Sequence, residues 1–177
     1  MRRTGSEVNL ASYIRNIPDF PRKGVQFKDI TTLLKNKDAF RYAIDSLAAL
    51  LRPKQADIVV GIEARGFIIG APLAYLLGCG FVPVRKKGKL PAETISKSYQ
   101  LEYGVSVLEV HKDAIRPGQK VLIVDDLLAT GGTTKAVCEM VEELGGNITG
   151  IAFVVELEFL KGREKLHPYQ VYSLVKL

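Results

Sequence analysis

Val121-Leu122-Ile123-Val124-Asp125-Asp126-Leu127-Leu128-Ala129-Thr130-Gly131-Gly132-Thr133 is the stretch on which the reading of this chain turns. Residues 121–124 are consecutive apolar residues, the pattern of a strand buried on both faces. The adjacent acids Asp125 and Asp126 stand at its C-terminal end, and a turn of small residues runs from Ala129 to Thr133. Beyond it Ala136, Val137, Met140, Val141 and Leu144 recur at helical spacing. The order is strand, acidic tip, glycine turn, helix. Open α/β sheets bind ligands beyond the carboxyl ends of their strands. A glycine turn that opens a helix offers an anion free backbone N–H groups and the positive end of a dipole. Carboxylates repel phosphate, so the natural partners of Asp125 and Asp126 are hydroxyls or a hydrated metal. A phosphorylated sugar with free hydroxyls satisfies both halves. The Walker A spacing and the Rossmann glycine pattern are both absent.

The 177 residues suit one domain with a full core. A net charge of +6 favours anionic partners without separating nucleic acid from small phosphates. Cys79 and Cys138 sit in apolar patterns without metal-ligand spacing and read as buried, reduced thiols of a cytoplasmic protein. No signal peptide and no membrane span are expected.

Outward from the central stretch, the pattern predicts a helix over residues 8–17, ended by Pro18, and an extended segment over 25–30. Asp38 is the expected N-cap of a helix to about residue 52. A buried strand over 57–62 leads through the turn Glu63-Ala64-Arg65-Gly66 into an apolar helix over 67–77. Pro83 argues for an edge or irregular position of the strand 81–84. After a basic run, residues 97–102 and 105–111 are expected to pair as a mobile hairpin. Gly145-Gly146 stops the helix that follows the central stretch. A strand over 148–155, a short helix over 159–166 and a strand over 169–175 complete the chain. This alternation gives an α/β fold with a central, mainly parallel sheet flanked by helices.

Residues 121–133 resemble the phosphoribosyl pyrophosphate (PRPP) signature of type I phosphoribosyltransferases. The resemblance extends to Phe20-Pro21, to Gly24-Val25-Gln26-Phe27-Lys28-Asp29-Ile30, and to the segments 61–67, 85–91, 101–104 and 156–166. Together these are similar to the adenine phosphoribosyltransferase family over nearly the whole chain.

The resemblance implies the reaction adenine + PRPP → AMP + pyrophosphate, in purine salvage, with Mg2+. It implies one phosphoribosyltransferase domain, with a small hood for the base built from about 18–34 and 156–170 and a flexible loop over about 86–108. Asp125 and Asp126 would hold the ribose hydroxyls with hydrated Mg2+ nearby. Ala129, Thr130, Gly131, Gly132 and Thr133 would wrap the 5′-phosphate. Glu63, Ala64 and Arg65 would form the pyrophosphate loop, and Arg85, Lys86 and Lys89 would add cations for that leaving group. Phe27 would stack on adenine and Leu157 would cover its other face, while the backbone of Gln26 and Lys28 reads the base edge. Related enzymes for 6-oxopurines carry an Asp in the phosphate loop; here that residue is Ala129, which disfavours hypoxanthine and guanine. The proton relay then falls to Glu102, accompanied by Tyr103, with Arg65 also at the reacting centre. A homodimer is the family's common state, with no nucleic acid and no membrane among the partners. His111 and His167 are read as structural or surface residues. A PRPP-binding regulator and a transferase for another base such as xanthine are the alternative readings.

Overall fold

The computed structural model describes residues 8–100 and 105–177. Strand β1 (Arg15–Pro18) pairs antiparallel with β2 (Gln26–Asp29) as a small two-stranded sheet. The one-turn helix α1 (Thr31–Leu34) and α2 (Lys37–Leu51) follow, then β3 (Ile58–Ile62), α3 (Arg65–Leu77) and β4 (Gly80–Lys86). A hairpin of β5 (Thr94–Gln100) and β6 (Val105–His111) leads to β7 (Lys120–Leu128), α4 (Gly132–Glu143), β8 (Asn147–Glu156) and β9 (Val171–Lys176).

The main sheet has the order β5-β6-β4-β3-β7-β8-β9. Strands β4, β3, β7, β8 and β9 are parallel, and the β5–β6 hairpin joins antiparallel at one side. The apolar run of β7 is fully buried because the sheet is covered on both faces, and its side chains alternate between them. Leu122 and Val124 pack with α2 and α3, through residues such as Leu47, Ile69 and Leu73. Val121 and Ile123 pack with Val137, Met140 and Val141 of α4.

The chain leaves β3 toward β4 in one direction and leaves β7 toward β8 in the other. The sheet's switch point therefore lies between β3 and β7, where an open α/β sheet forms its ligand crevice. Pairing of β3 with β7 stops at Gly61 opposite Val124, whereas β7 stays paired with β8 to Leu128 opposite Glu156. Asp125 and Asp126 thus lie within a strand that continues past them, not at its tip. Where β3 has ended, the start of α3 lies against them: Arg65 pairs with Asp126, and a Cβ on Gly66 would come within 2.9 Å of Asp125 Oδ1.

The predicted helix over 8–17 is replaced by a 3-10 turn (Leu10–Tyr13), capped by the Asn9 side chain, and by β1. Pairing of β1 with β2 through Ile17 opposite Phe27 outweighs the helical spacing of the apolar residues. Asn36 rather than Asp38 caps α2, accepting from the N–H groups of Asp38 and Ala39. Helix α3 opens at Arg65, two residues earlier than its apolar run suggests. The expected helix over 159–166 is two 3-10 turns, Glu158–Leu160 and Gly162–Leu166, separated at Lys161 with φ 51°. The last strand begins at Val171. Pro83 is tolerated because β4 meets β6 only at Arg85 and Lys86, which leaves the sheet edge open beside the proline.

Candidate active site

Three loops converge on the switch point. The first follows β3. Its Glu63–Ala64 peptide is cis, and its Arg65 begins α3. The Glu63 carboxylate turns toward the neighbouring strand, where Oε2 accepts from Arg85 Nε at 3.2 Å and from the Lys86 N–H at 2.9 Å. Arg85 also donates to the Lys89 carbonyl at 3.2 Å, and the Gly88 N–H donates to buried Glu109 at 2.9 Å. Two carboxylates therefore hold the basic turn 85–89 in shape. Sequence reasoning missed Glu109 because it stands in an alternating strand that read as mobile.

The second loop follows β7. Gly131, with φ 78°, is the N-cap of α4 and supplies no side-chain cap. The first N–H groups of α4 have no acceptor within the helix, so they face whatever sits in the turn. Thr130, Gly132 and Thr133 are all partly exposed there. An anion at such a turn gains about 0.3–1 kcal/mol from the helix dipole when exposed. Upstream, Asp126 is 3% exposed and Asp125 half-buried. Burial and the Asp126 charge push Asp125 well up from the ordinary carboxylate range. Burial also raises Asp126, opposed by the Arg65 guanidinium. Asp126 Oδ2 forms an ion pair with Arg65 Nε at 2.7 Å but makes no well-aligned hydrogen bond.

The third element is the small β1–β2 sheet together with the turns after β8. Between them lies a cavity of about 700 Å3. Gln26, Phe27, Lys28, Arg65, Ala129 and Leu157 line it. These predicted residues come from four separate elements, and the fold brings them to one space. The Phe27 ring has Phe20 at 5.2 Å in an edge-to-face contact and the Arg65 guanidinium carbon at 5.6 Å. Leu127, Phe159 and Leu160, which the sequence reading did not single out, complete the apolar wall. Arg85, Lys86 and Lys89 stand apart from this cavity, on β4 and the turn beyond it. Glu102 and Tyr103 lie outside the described residues.

A largely apolar cavity beside a glycine turn at a helix N-terminus and a pair of acids suits a planar base next to a sugar phosphate. The sequence pattern of the phosphoribosyl transferase domain matches residues 29–176, and the chain belongs to that family. An adenine phosphoribosyltransferase of Clostridium kluyveri is 60% identical over 169 residues, covering 96% of this chain and 98% of that one. The crystal structure of adenine phosphoribosyltransferase from Thermoanaerobacter pseudethanolicus superposes with a TM-score of 0.92 at 58% identity, over 95% of this chain and 98% of that one. The Saccharomyces cerevisiae enzyme, crystallised with D-2,5-dideoxy-2,5-imino-altritol 1,6-bisphosphate and adenine, superposes with a TM-score of 0.89 at 43% identity, over 93% and 96%. Within its family the chain belongs with the adenine phosphoribosyltransferases, which make AMP and pyrophosphate from adenine and PRPP.

Proposed function

We propose that this purine-salvage enzyme divides its substrates among the three loops. Adenine occupies the 700 Å3 cavity, stacked on Phe27 and covered by Leu157, with backbone of Gln26 and Lys28 at its edge. The 5′-phosphate lies in residues 129–133, and Asp125 and Asp126 take the ribose hydroxyls. Pyrophosphate leaves between Ala64, Arg65 and the basic turn that Glu63 and Glu109 hold. The observation that carries this reading is that Ala129 and Arg65 each line the base cavity while belonging to the phosphate and pyrophosphate loops. The base and the sugar carbon that receives it are thereby brought within bonding reach.

The acids fit a metal that arrives on the substrate. Asp126 Oδ2 is buried without a well-aligned hydrogen bond, and no cluster of His, Cys, Asp or Glu suited to cage a metal exists among the described residues. Mg2+ bound to PRPP would offset the charge of the departing diphosphate, with Asp125 and Asp126 facing its water shell. Among the described residues no helix is long and apolar enough to cross a membrane. The free thiols of Cys79 and Cys138 support a reducing, cytoplasmic setting. An apolar stripe on α3, formed by Ile68, Ala71 and Tyr75, supports a homodimer.

The test is base competition. With PRPP and Mg2+, purified protein is expected to consume adenine far faster than hypoxanthine, guanine or xanthine. Equal use of hypoxanthine overturns the role given to Ala129. Retention on duplex DNA at physiological salt without AMP formation favours a regulator.

A further inference from the structure

Glu156 ends β8 and is 4% exposed, although it is a carboxylate. Arg163 meets it with a fork: Nε donates to Oε1 at 2.9 Å and Nη2 to Oε2 at 2.5 Å. Ser173 of β9 donates to the same Oε2 at 2.6 Å, and Arg163 Nη1 donates to the Val171 carbonyl at 2.7 Å. The pair closes the segment 157–162 into a staple pinned to β9. That segment holds Leu157, Phe159 and Leu160, which line the base cavity. Its last residue, Gly162, lies against the phosphate loop. A Cβ at Gly162 would run into the Ala129 carbonyl and come within 3.0 Å of the Gly131 nitrogen. A Cβ at Gly131 would meet the Gly162 carbonyl at 2.5 Å. The two backbones are thus moulded on each other, and the turn that abuts the loop is followed directly by Arg163 of the fork.

We infer that Glu156 and Arg163 are positioning residues that seat Gly162 against residues 129–131 and so fix the shape of the 5′-phosphate loop from outside. The inference rests on the assignment of residues 129–133 to the 5′-phosphate. A planar fork suits this task, because two parallel bonds set orientation as well as distance, which a lysine cannot do. Neither side chain lines the base cavity. Their loss should appear as poorer PRPP capture and not as slower chemistry at saturation.

The experiment is steady-state kinetics and thermal melting of Arg163→Lys and Glu156→Gln, with Thr133→Ala as a probe of the phosphate loop itself. Arg163→Lys is expected to raise KM for PRPP roughly tenfold, with kcat within about twofold of the parent, and to reduce the thermal shift that PRPP induces. If Arg163→Lys melts near the assay temperature, Ser173→Ala removes one bond to Glu156 and is expected to raise KM for PRPP roughly two- to fivefold. Values of KM for PRPP unchanged in these variants, while Thr133→Ala raises it, overturn the inference. If Thr133→Ala also leaves KM for PRPP unchanged, the phosphate assignment fails, and the clamp fails with it.

Discussion

Arg65 Nε lies 2.7 Å from Asp126 Oδ2, while its guanidinium carbon sits 5.6 Å from the Phe27 ring centroid. One side chain therefore spans Asp126 and the Phe27 ring, from the first position of α3. If Arg65 serves the pyrophosphate as proposed, a diphosphate entering the crevice competes with Asp126 for this guanidinium. Arg65→Lys keeps the charge but loses the fork and the ring contact. It is expected to raise KM for pyrophosphate in the reverse reaction roughly tenfold. KM for adenine should rise less. A larger effect on adenine than on pyrophosphate would place Arg65 mainly with the base.

Asp125 is a carboxyl whose surroundings disfavour its charge. Burial and the neighbouring Asp126 charge raise it, so the folded protein holds this proton more tightly than the unfolded chain. For such an acid the favourable contribution is complete below the ordinary carboxylate pKa and is lost as pH rises through the raised folded value. Asparagine stays neutral and can keep the bond from the Asp126 N–H, now 2.8 Å from Oδ1. Asp125→Asn is expected to melt higher than the parent at pH 7, with the gap closing toward pH 4. The same change should weaken PRPP binding. A lower Tm at neutral pH would contradict it.

Asp29 behaves in the opposite sense. Burial alone would push it up, but bonds from Arg15, the Thr31 N–H and the Thr31 hydroxyl prevail and hold it at about 2. Its stabilisation is present above the ordinary value of 3.8 and is lost as pH falls from there toward about 2. This acid ends β2, which carries Phe27 and Lys28 into the cavity. Arg15→Ala removes two bonds to Oδ2, of 3.1 and 2.5 Å. It should lower stability by about 1–2 kcal/mol at neutral pH, since Arg15 is partly solvated. The difference should shrink below pH 4, and KM for adenine should rise. Melting curves from pH 2 to 7 test the first point and initial rates the second.

The parts of this fold that were legible in the sequence are those governed by local pattern. Residues 121–124 announced a buried strand because four apolar residues in a row need cover on both faces. The helix after the glycine turn announced itself through the helical spacing of Ala136, Val137, Met140, Val141 and Leu144. Residues 8–17 misled because their apolar spacing fits a helix, while the strand that pairs with residues 15–18 lies at 26–29, outside that window. Glu109, Glu156 and Gly162 were not legible as parts of the site. Their roles come from contacts with Gly88, Arg163 and the phosphate loop, and only the closed fold creates those contacts.

Tyr75 is 85% exposed on α3, in line with Ile68 and Ala71, while the opposite face of the helix is buried. A tyrosine so open on an apolar stripe fits a surface made for a second copy of the chain. Tyr75→Arg is expected to shift the protein from dimer toward monomer in sedimentation velocity at micromolar concentration. A parent that is monomeric under those conditions removes the dimer from the proposal.

The proton of adenine N9 must leave as the ribosyl bond forms, and in the proposed placement the turn after β7 offers Ala129, not a carboxylate, to receive it. Asp126 is paired with Arg65 and Asp125 accepts from the Asp126 N–H, while Glu63 and Glu109 hold the basic turn. In the proposed reading this task falls to Glu102, which lies outside the described residues. Glu102→Ala is expected to lower kcat roughly a hundredfold or more, with KM for adenine and PRPP changed much less. Glu102→Gln separates the two ways in which the residue could act. Recovery of activity by glutamine means that a hydrogen bond to the base suffices, whereas a loss as deep as that of alanine means that the carboxylate accepts the proton. Turnover that is unchanged in both variants takes Glu102 out of the chemistry.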